Sequence, residues 1–393
     1  MKKAILMTWY NSNNYGTLLQ SYATKEIFKE RYGVECYFVN YIPKGKRDII
    51  SVIRKLMSVK SWKRQITIKY DAYMLKHCGI SKLIDKRNQW VKEFISHYKY
   101  VNNGLEVKSD NDFKNLADEF DFFISGSDQI WNPKTLNEHF LLDFVPSDKN
   151  CISFASSLSA EKIPNKSVDI FKKQLKKYNG VTIRESSCEQ QLRDIFCKCG
   201  QPADRIGTIC DPTLLYGADK WLELLHPNAK SNYVLLYMLG KSQSARTVAK
   251  NFAEKNDMGF YTFPFLSSHY VKEDRIFKEE EQLWETSPFE WISWIKNANL
   301  IITDSFHMTA FSIMLHKNFY VVEKDGTEKS QNNRIVNLLS MVGLEKRFLM
   351  NGIKLENISD KTDSINWVKV DDILQQKRDE SFALVDKIMK DIL

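Results

Sequence analysis

The sequence has 393 residues, of which 43% are hydrophobic and 27% charged, with only 15 glycines and 9 prolines. A chain of this length exceeds what one hydrophobic core usually serves, so we expect two domains. The composition excludes a disordered or low-complexity protein, and no segment has the roughly 18 apolar residues that a membrane-spanning helix needs. We therefore predict a folded cytoplasmic protein.

The positive charge is concentrated in one segment. The formal net charge is +8, yet residues 44–92 alone contain 14 Lys and Arg against three acids. Apolar and aromatic residues such as Trp62, Tyr70 and Tyr73 alternate with these bases, a pattern typical of a basic amphipathic helix on an anionic membrane surface. Residues 44–92 are therefore a candidate peripheral contact with the inner face of the membrane. An ordinary helical insertion with a solvated basic face is the alternative. Nucleic acid is not a predicted partner, because no binding module is recognisable.

The seven cysteines are odd in number and mostly scattered. Cys197 and Cys199 form the one close pair, and no second pair completes a zinc site. We expect reduced thiols, no bound metal and no cofactor.

Short apolar segments alternate with helical patterns along the first half of the chain. The predicted elements are a strand at 4–9, a helix at 17–29, a strand at 34–41, a helical insertion to about residue 100, strands at 120–125, 151–156 and 180–183, and a helix from about 187. Such alternation is typical of parallel sheets covered by helices on both faces.

A second α/β unit follows a break in periodicity at 211–232. Its predicted elements are strands at 233–239, 259–263, 300–303 and 319–322, a helix at 241–256, and a helix begun by the capping box at 287–290. We predict a first domain at 1–215 with the basic insertion at about 44–100, a second domain at 216–370, and a last helix at 371–393 that packs back on the first domain.

Polar clusters follow four of the predicted strands, at residues 11–16, 126–132, 184–186 and 303–307. The carboxyl ends of parallel strands are where ligands bind, and the helix N-termini there favour anions. We predict that the four clusters together form a site for an anionic substrate. Each also has a simpler explanation: a turn, a helix cap, a surface ion pair at Arg184, or a structural role for His307.

Seven segments resemble, in order, the motifs of the polysaccharide pyruvyl transferase family. They are TWYNSNNYGTLLQSYA (8–23), DFFISGSDQIWNP (121–133), NCISFASSLS (150–159), VTIRESS (181–187), CDPTLL (210–215), SPFEWISWIKNANLIITDSFHMTAFSIML (287–315) and NNRIVNLLSMVGLEKR (332–347). The resemblance implies two Rossmann-like domains facing across a cleft, similar to B-type glycosyltransferases. It also implies transfer of a pyruvyl group from phosphoenolpyruvate to hydroxyls of a sugar, giving a cyclic ketal and phosphate without a metal.

The resemblance also implies roles for individual residues. His307 matches the family histidine that acts in acid/base chemistry, and Arg184 matches an arginine that grips the donor. This chain has Ser305 where some members have arginine, and Met308 where many have glycine. The charge missing at Ser305 then has to come from another side chain.

From these correspondences we assign three sets of residues. The catalytic set is His307, Arg184 and Asp304. The donor set is Arg184, Ser305, His307, Lys241, Asn333 and Arg334. The acceptor set, for a sugar or lipid-linked oligosaccharide, is Asn14, Tyr15, Gly16, Gly126, Ser127, Asp128 and Trp131. A nucleotide-sugar glycosyltransferase of the same fold and a non-catalytic carbohydrate-binding relative remain the alternatives.

Overall fold

The computed structural model describes residues 1–42, 59–226, 230–264, 271–324, 329–349, 354, 356, 358 and 365–393, with side chains from residue 66 in the helix that begins at 59 and from 332 in the helix that begins at 329. The first part of the predicted basic insertion, residues 44–58, lies outside these ranges.

A parallel seven-stranded sheet forms the core of the first domain. Its strands are β1 Lys2–Met7, β2 Val34–Phe38, β3 Lys99–Tyr100, β4 Phe122–Gly126, β5 Asn150–Ser156, β6 Tyr178–Ile183 and β7 Ile206–Thr208. Every residue of β4 is buried, as expected for a strand covered on both faces. The spatial order β3-β2-β1-β4-β5-β6-β7 reverses between β1 and β4, so the loops after these two strands flank a crevice.

Eight helices of the described chain belong to this half. They are α1 Tyr15–Tyr32, α2 Val59–His77, α3 Ile80–Ser96, α4 Asp110–Leu116, α5 Asn165–Leu175, α6 Glu189–Lys198, α7 Pro212–Tyr216 and α8 Ala218–Glu223. The insertion between β2 and β3 includes α2 and α3. Arg87, Val91 and Ile95 are buried on α3 at four-residue spacing, so one face of this helix packs against the protein.

The second domain has a parallel sheet of five strands in the order β12-β11-β10-β8-β9. The strands are β8 Tyr233–Tyr237, β9 Gly259–Thr262, β10 Leu300–Thr303, β11 Phe319–Val322 and β12 Phe348–Leu349, and the helices are α9 Gln243–Lys255, α10 Pro288–Asn297, α11 Phe306–Met314, α12 Lys329–Met341 and α13 Trp367–Met389. The predicted capping box forms at the start of α10, where Ser287 and Glu290 exchange hydrogen bonds.

Helix α13 leaves the second domain and packs on the first. The Nζ of Lys2 donates to the carbonyl of Ile392 at 2.6 Å, and Arg31 forms a bidentate ion pair with Asp386 at 2.9 and 2.6 Å. A Cβ added to Gly180 of β6 would lie 2.4 Å from Ile388, so the helix approaches the sheet as closely as a glycine permits.

An aromatic core joins the two domains. Tyr15 of α1 stacks on Trp291 of α10 with ring centroids 5.2 Å apart and donates to the carbonyl of Thr286 at 2.9 Å. The guanidinium carbon of Arg87 lies 3.6 Å from the centroid of the Tyr15 ring, and the same arginine donates to the Thr286 carbonyl. The insertion therefore helps to hold the domains together. Among the described helices, none has the length and apolar character needed to cross a bilayer.

Candidate active site

His307 and Gly16 bring the two domains into contact at the centre of the candidate site. His307 lies in the first turn of α11, directly after β10, and Gly16 is the second residue of α1. A Cβ added to Gly16 would lie 2.0 Å from Nδ1 of His307. The imidazole therefore packs on bare backbone, and the glycine is required by the closeness of this contact.

Asp211 is the nearest acid to His307. Its Oδ2 lies 3.7 Å from Nε2 of His307 and accepts a hydrogen bond from Nη1 of Arg184 at 2.6 Å. Its Oδ1 accepts from the backbone N–H and the hydroxyl of Thr213 at 2.9 and 2.6 Å, so the carboxylate also caps α7. Burial disfavours ionisation, but His307 and Arg184 outweigh it and hold the pKa of Asp211 well below its usual range.

Sequence reasoning did not select Asp211. The signal was its position in the quoted CDPTLL segment, where an aspartate directly before proline begins a helix. In the sequence, Asp211 and Pro212 indicate a break between the domains and lie in a segment that resembles a family motif, and neither observation points to a role for the carboxylate.

Arg184, at the end of β6, is surrounded by three carboxylates. Besides Asp211, its Nη2 lies 4.0 Å from Asp128 and its Nε 3.7 Å from Glu185. Burial disfavours its charge, but the three acids outweigh burial and raise the pKa of Arg184. Nε and Nη2 are both buried and have no hydrogen-bond partner within the described residues. These N–H groups remain available for a bound anion.

Arg334 adds a second guanidinium from α12. The guanidinium carbons of Arg184 and Arg334 lie 4.7 and 5.8 Å from the centroid of the Phe306 ring. With the amide of Gln129 oriented so that its oxygen faces Arg334, that oxygen accepts from both terminal nitrogens at 2.8 and 3.2 Å. Burial, together with the nearby charge of Arg184, lowers the pKa of Arg334 to about 10. Two buried guanidinium groups near the same ring favour the binding of an anion.

A cavity of about 400 Å³ opens beside this cluster. Its walls come from both domains and from α13, and they include Arg184, Asp211, Phe306, Arg334 and Lys377. The cavity has room for a small organic anion, with two arginines on its wall and a lysine beside them.

The remaining predicted catalytic and donor residues make other contacts. Asp304 accepts from the backbone N–H groups of Leu239 and Gly240, each at 2.6 Å, and burial raises its pKa. Ser305 caps α11 by accepting from the N–H of Met308 at 3.4 Å. Asn333 donates to Glu161 at 3.1 Å, and Lys241 is exposed and does not line the cavity. Asp304 thus anchors the loop after β8, whereas Asp211 lies beside the imidazole.

Met308, which stands where many family members have glycine, is fully buried in the core. It is not among the residues that line the cavity. The structure therefore gives no sign that this side chain narrows the cavity.

The predicted acceptor residues form the rigid base of the first-domain loops. Asn14 caps α1 by accepting from the N–H of Gly16 at 3.0 Å, and Asp128 accepts from the hydroxyl of Thr17 at 2.8 Å. Trp131 is fully buried and donates to Ser125 at 2.7 Å. The other four residues of this set are also buried: Tyr15, Gly16, Gly126 and Ser127.

Within the part of the chain that the structure describes, no group of three or more His, Cys, Asp or Glu side chains is arranged to hold a metal ion. The seven cysteines all lie in the described ranges, and none of them forms a disulfide bond.

The Asp211 contacts lead to a stability prediction. Asp211→Asn is expected to lower the free energy of unfolding by about 3–5 kcal/mol at pH 7, because it removes the closest anion from the buried Arg184. A carboxyl whose pKa falls on folding stabilises the protein fully above its unfolded pKa of about 4, and that stabilisation is lost as the pH falls through the folded pKa. Denaturant unfolding should therefore give a constant deficit from pH 5 to 8.

Asp371→Asn is the matched control, because Asp371 pairs with His316 at 2.8 Å on the exposed surface. Its effect should stay within about 0.5 kcal/mol. An equally small loss for Asp211→Asn would show that the buried pair does not stabilise the fold as argued.

Comparisons with known proteins identify the family and the fold. The family model for polysaccharide pyruvyl transferase matches residues 14–326. A protein from Listeria monocytogenes described as a UDP-N-acetylglucosamine 2-epimerase is 10% identical, with 97% of this chain and 90% of that chain covered and a TM-score of 0.50. UDP-GlcNAc 2-epimerase from Neisseria meningitidis is 9% identical over 96% of this chain and 99% of that chain, with a TM-score of 0.47. A search of curated proteins gives no significant match.

At such low sequence identity the solved structures are evidence for the fold alone. The Listeria structure and the two parallel sheets agree with two Rossmann-like domains of the B-type glycosyltransferase kind, and this fold prediction is confirmed. The family match covers most of the chain and includes Gly16, Arg184, Asp211 and His307, though not Arg334. The chain therefore belongs to the polysaccharide pyruvyl transferase family and is a transferase enzyme.

Proposed function

We propose that the protein transfers the pyruvyl group of phosphoenolpyruvate to two hydroxyls of a sugar, forming a cyclic ketal and releasing phosphate. The observation that carries the proposal is the pair of guanidinium groups of Arg184 and Arg334, which have unpartnered buried N–H groups and lie near the ring of Phe306, the residue before His307. Family membership supports the coarser activity, pyruvyl transfer to a polysaccharide.

The donor has a carboxylate and a phosphate, and the site has matching cations. Arginine grips either group through two parallel N–H bonds. Lys377 also lines the cavity, where its Nζ donates to Glu380 at 2.6 Å. In this proposal Arg334 supplies the positive charge that some family members carry at the position of Ser305. Arg184 and Arg334 hold the donor with its central carbon towards the acceptor.

The reaction has two steps. A proton goes to the methylene carbon of phosphoenolpyruvate, and a sugar hydroxyl forms a C–O bond to the central carbon as it loses its own proton. The bond to phosphate then breaks, and a second sugar hydroxyl forms the other C–O bond of the ketal. The proton of this second hydroxyl leaves with the phosphate. In total, the methylene carbon gains one proton, the phosphate takes the other, and no oxidant is consumed.

We assign the movement of these protons to His307. Its Nε2 is buried, has no hydrogen bond within the described residues, and lies 3.7 Å from the ionised carboxylate of Asp211. Histidine exchanges protons near neutral pH, and an adjacent carboxylate fixes the ring orientation. His307 is thus the proposed general acid and base, and Asp211 the residue that positions it.

Phosphate release from phosphoenolpyruvate, measured with and without an oligosaccharide acceptor, tests the proposal. Acceptor-dependent release with a ketal in the product is the expected result. Titration with nucleoside diphosphates separates the glycosyltransferase alternative, because a nucleotide-sugar enzyme would bind these in preference to phosphoenolpyruvate. Tight nucleotide binding without phosphate release would overturn the assignment.

We also propose that α2 rests on an anionic membrane that carries a lipid-linked acceptor. Ile66, Tyr70 and Tyr73 are 62%, 53% and 62% exposed and share one face of the helix at positions i, i+4 and i+7. Lys69 and Lys76 are exposed on the same helix. An exposed apolar stripe beside lysines is the pattern of a helix lying in a lipid interface.

Sedimentation with phospholipid vesicles tests this contact. The protein is expected to bind vesicles containing phosphatidylglycerol more strongly than pure phosphatidylcholine vesicles, and less so as salt screens the lysines. Replacing Tyr70 and Tyr73 together by serine should reduce binding several-fold. Val368→Ser, at a 73% exposed apolar position on α13, should not. Equal binding by the double variant and the wild type would contradict the proposal.

A further inference from the structure

Trp9 is an exposed aromatic side chain at the edge of the first sheet. It lies two residues beyond β1, on the carboxyl side where the sheet order reverses. It is 37% exposed, more than any other tryptophan whose side chain the structure describes, whereas Trp131, the tryptophan that we assigned to the acceptor from the sequence, is fully buried. An exposed tryptophan beside a ligand crevice points to recognition, because burying its ring against a partner removes a large apolar area from water.

The position of Trp9 is fixed from two sides. The Nε2 of Gln20 donates to the carbonyl of Trp9 at 2.7 Å, and also to the hydroxyl of Thr8 at 3.2 Å and the carbonyl of Thr17 at 3.0 Å. The Phe140 ring packs against the indole with centroids 4.7 Å apart and planes at 53°. A ring held in this way loses little entropy on binding.

Hydrogen bonds connect Trp9 to the candidate active site. The carbonyl of Thr17 accepts from Gln20, and the hydroxyl of Thr17 donates to Asp128. Asp128 in turn lies 4.0 Å from Arg184. Gly16 follows Trp9 by only seven positions in the sequence, so the two lie at most about 25 Å apart. An acceptor a few sugar units long can span them.

The loop between Trp9 and Gly16 is rich in polar side chains. Asn11 is exposed, and Ser12 is partly exposed and accepts a hydrogen bond from the N–H of Asn14 at 3.1 Å. Asn13 donates to Asn88 of α3 at 3.0 Å, so the insertion helps to hold the loop in shape. A flat apolar ring next to amide and hydroxyl groups matches a pyranose, which has a C–H face and a rim of hydroxyls.

We propose that Trp9 stacks against a sugar ring of the acceptor that lies one or more units away from the hydroxyls that react. This inference rests on the proposed function and deepens it, because it makes the acceptor an oligosaccharide and not a monosaccharide. Trp9 binds the acceptor and takes no part in proton transfer or in binding the donor.

Steady-state kinetics with two acceptors tests the inference. The acceptors are a galactose-terminated tetrasaccharide and methyl galactopyranoside, each with a matched glucose counterpart. Trp9→Ala is expected to raise KM for the tetrasaccharides about tenfold, as for a central aromatic contact, with kcat and the KM for phosphoenolpyruvate within about twofold. Trp9→Phe should keep most of the affinity. Trp367→Ala, a partly exposed tryptophan on α13, is the control and should change neither constant.

The two acceptors separate the outcomes. An unchanged KM for the tetrasaccharides in Trp9→Ala overturns the inference while phosphate release still supports pyruvyl transfer. An equal rise for the methyl glycosides also overturns it, because the contact would then be at the reacting sugar. If the wild type releases no phosphate with any of these acceptors, the proposed function fails. In that case, saturation-transfer NMR with the same tetrasaccharides tests whether Trp9 binds a sugar. Binding to the wild type that is lost in Trp9→Ala supports this contact. Equal binding by the two proteins, or no binding to the wild type, overturns it.

Discussion

His307→Gln is expected to lower kcat by about 10²–10⁴-fold, the range typical for loss of a general acid or base. Glutamine keeps a hydrogen-bonding side chain of similar reach but cannot exchange a proton at neutral pH. The dissociation constant for phosphoenolpyruvate should change little, because the proposed grip on the donor comes from Arg184 and Arg334. Single-turnover phosphate release, together with calorimetric titration of phosphoenolpyruvate, measures both quantities.

His316→Gln is the matched control for this variant. His316 also lies beside an aspartate, Asp371, at 2.8 Å, but on the exposed surface of the second domain. Its substitution should leave kcat unchanged. Wild-type turnover in His307→Gln would remove His307 from the mechanism, whereas an equal fall in kcat and in donor affinity would make it a donor-binding residue.

Gly16→Ala is expected to lower kcat at least about 10²-fold, because the new methyl group would lie 2.0 Å from Nδ1 of His307. Either the imidazole or the start of α1 must shift, and a displacement of about 1 Å at a reacting group can cost this much. The added methyl should also lower the free energy of unfolding by about 1–3 kcal/mol. Kinetics and denaturant unfolding of the same preparation measure the two effects.

Gly180→Ala separates crowding from catalysis. Its methyl would meet Ile388 at 2.4 Å, so it crowds the contact between β6 and α13 and not the histidine. We expect a comparable loss of stability with kcat within about threefold. If both glycine variants lose activity in proportion to stability, the contact between Gly16 and His307 has no special role in catalysis.

The sequence allowed us to predict that the four polar clusters lie together, because parallel strands bring their carboxyl ends to one edge. Gly16, Asp128, Arg184 and His307 come from the four polar clusters, and the structure joins them through direct contacts and through Asp211. Their roles in catalysis and binding remain predictions. Fold class could be predicted for the same reason, since short buried strands alternating with helices have few stable arrangements.

Burial and partner choice could not be predicted, because both depend on tertiary contacts. Trp9 and Trp131 are both tryptophans near strand ends, yet the fold exposes the first and encloses the second. Asp304 and Asp211 likewise both precede a helix in sequence. Only the approach of α7 to α11 across the domain boundary puts Asp211, and not Asp304, beside the imidazole.

The position of α13 has a consequence for how the protein forms during synthesis. This helix covers Gly180 and Gly207 of the first sheet, and Lys377, Glu380 and Ser381 of the same helix line the cavity. The ribosome makes α13 about 160 positions after the last strand of the sheet that it covers. The nascent first domain therefore keeps an uncovered apolar surface until α13 has left the ribosome, and such a surface is prone to aggregation in that interval. A chain without α13 also lacks one wall of the pocket, so this helix must be made before the pocket can close around a donor.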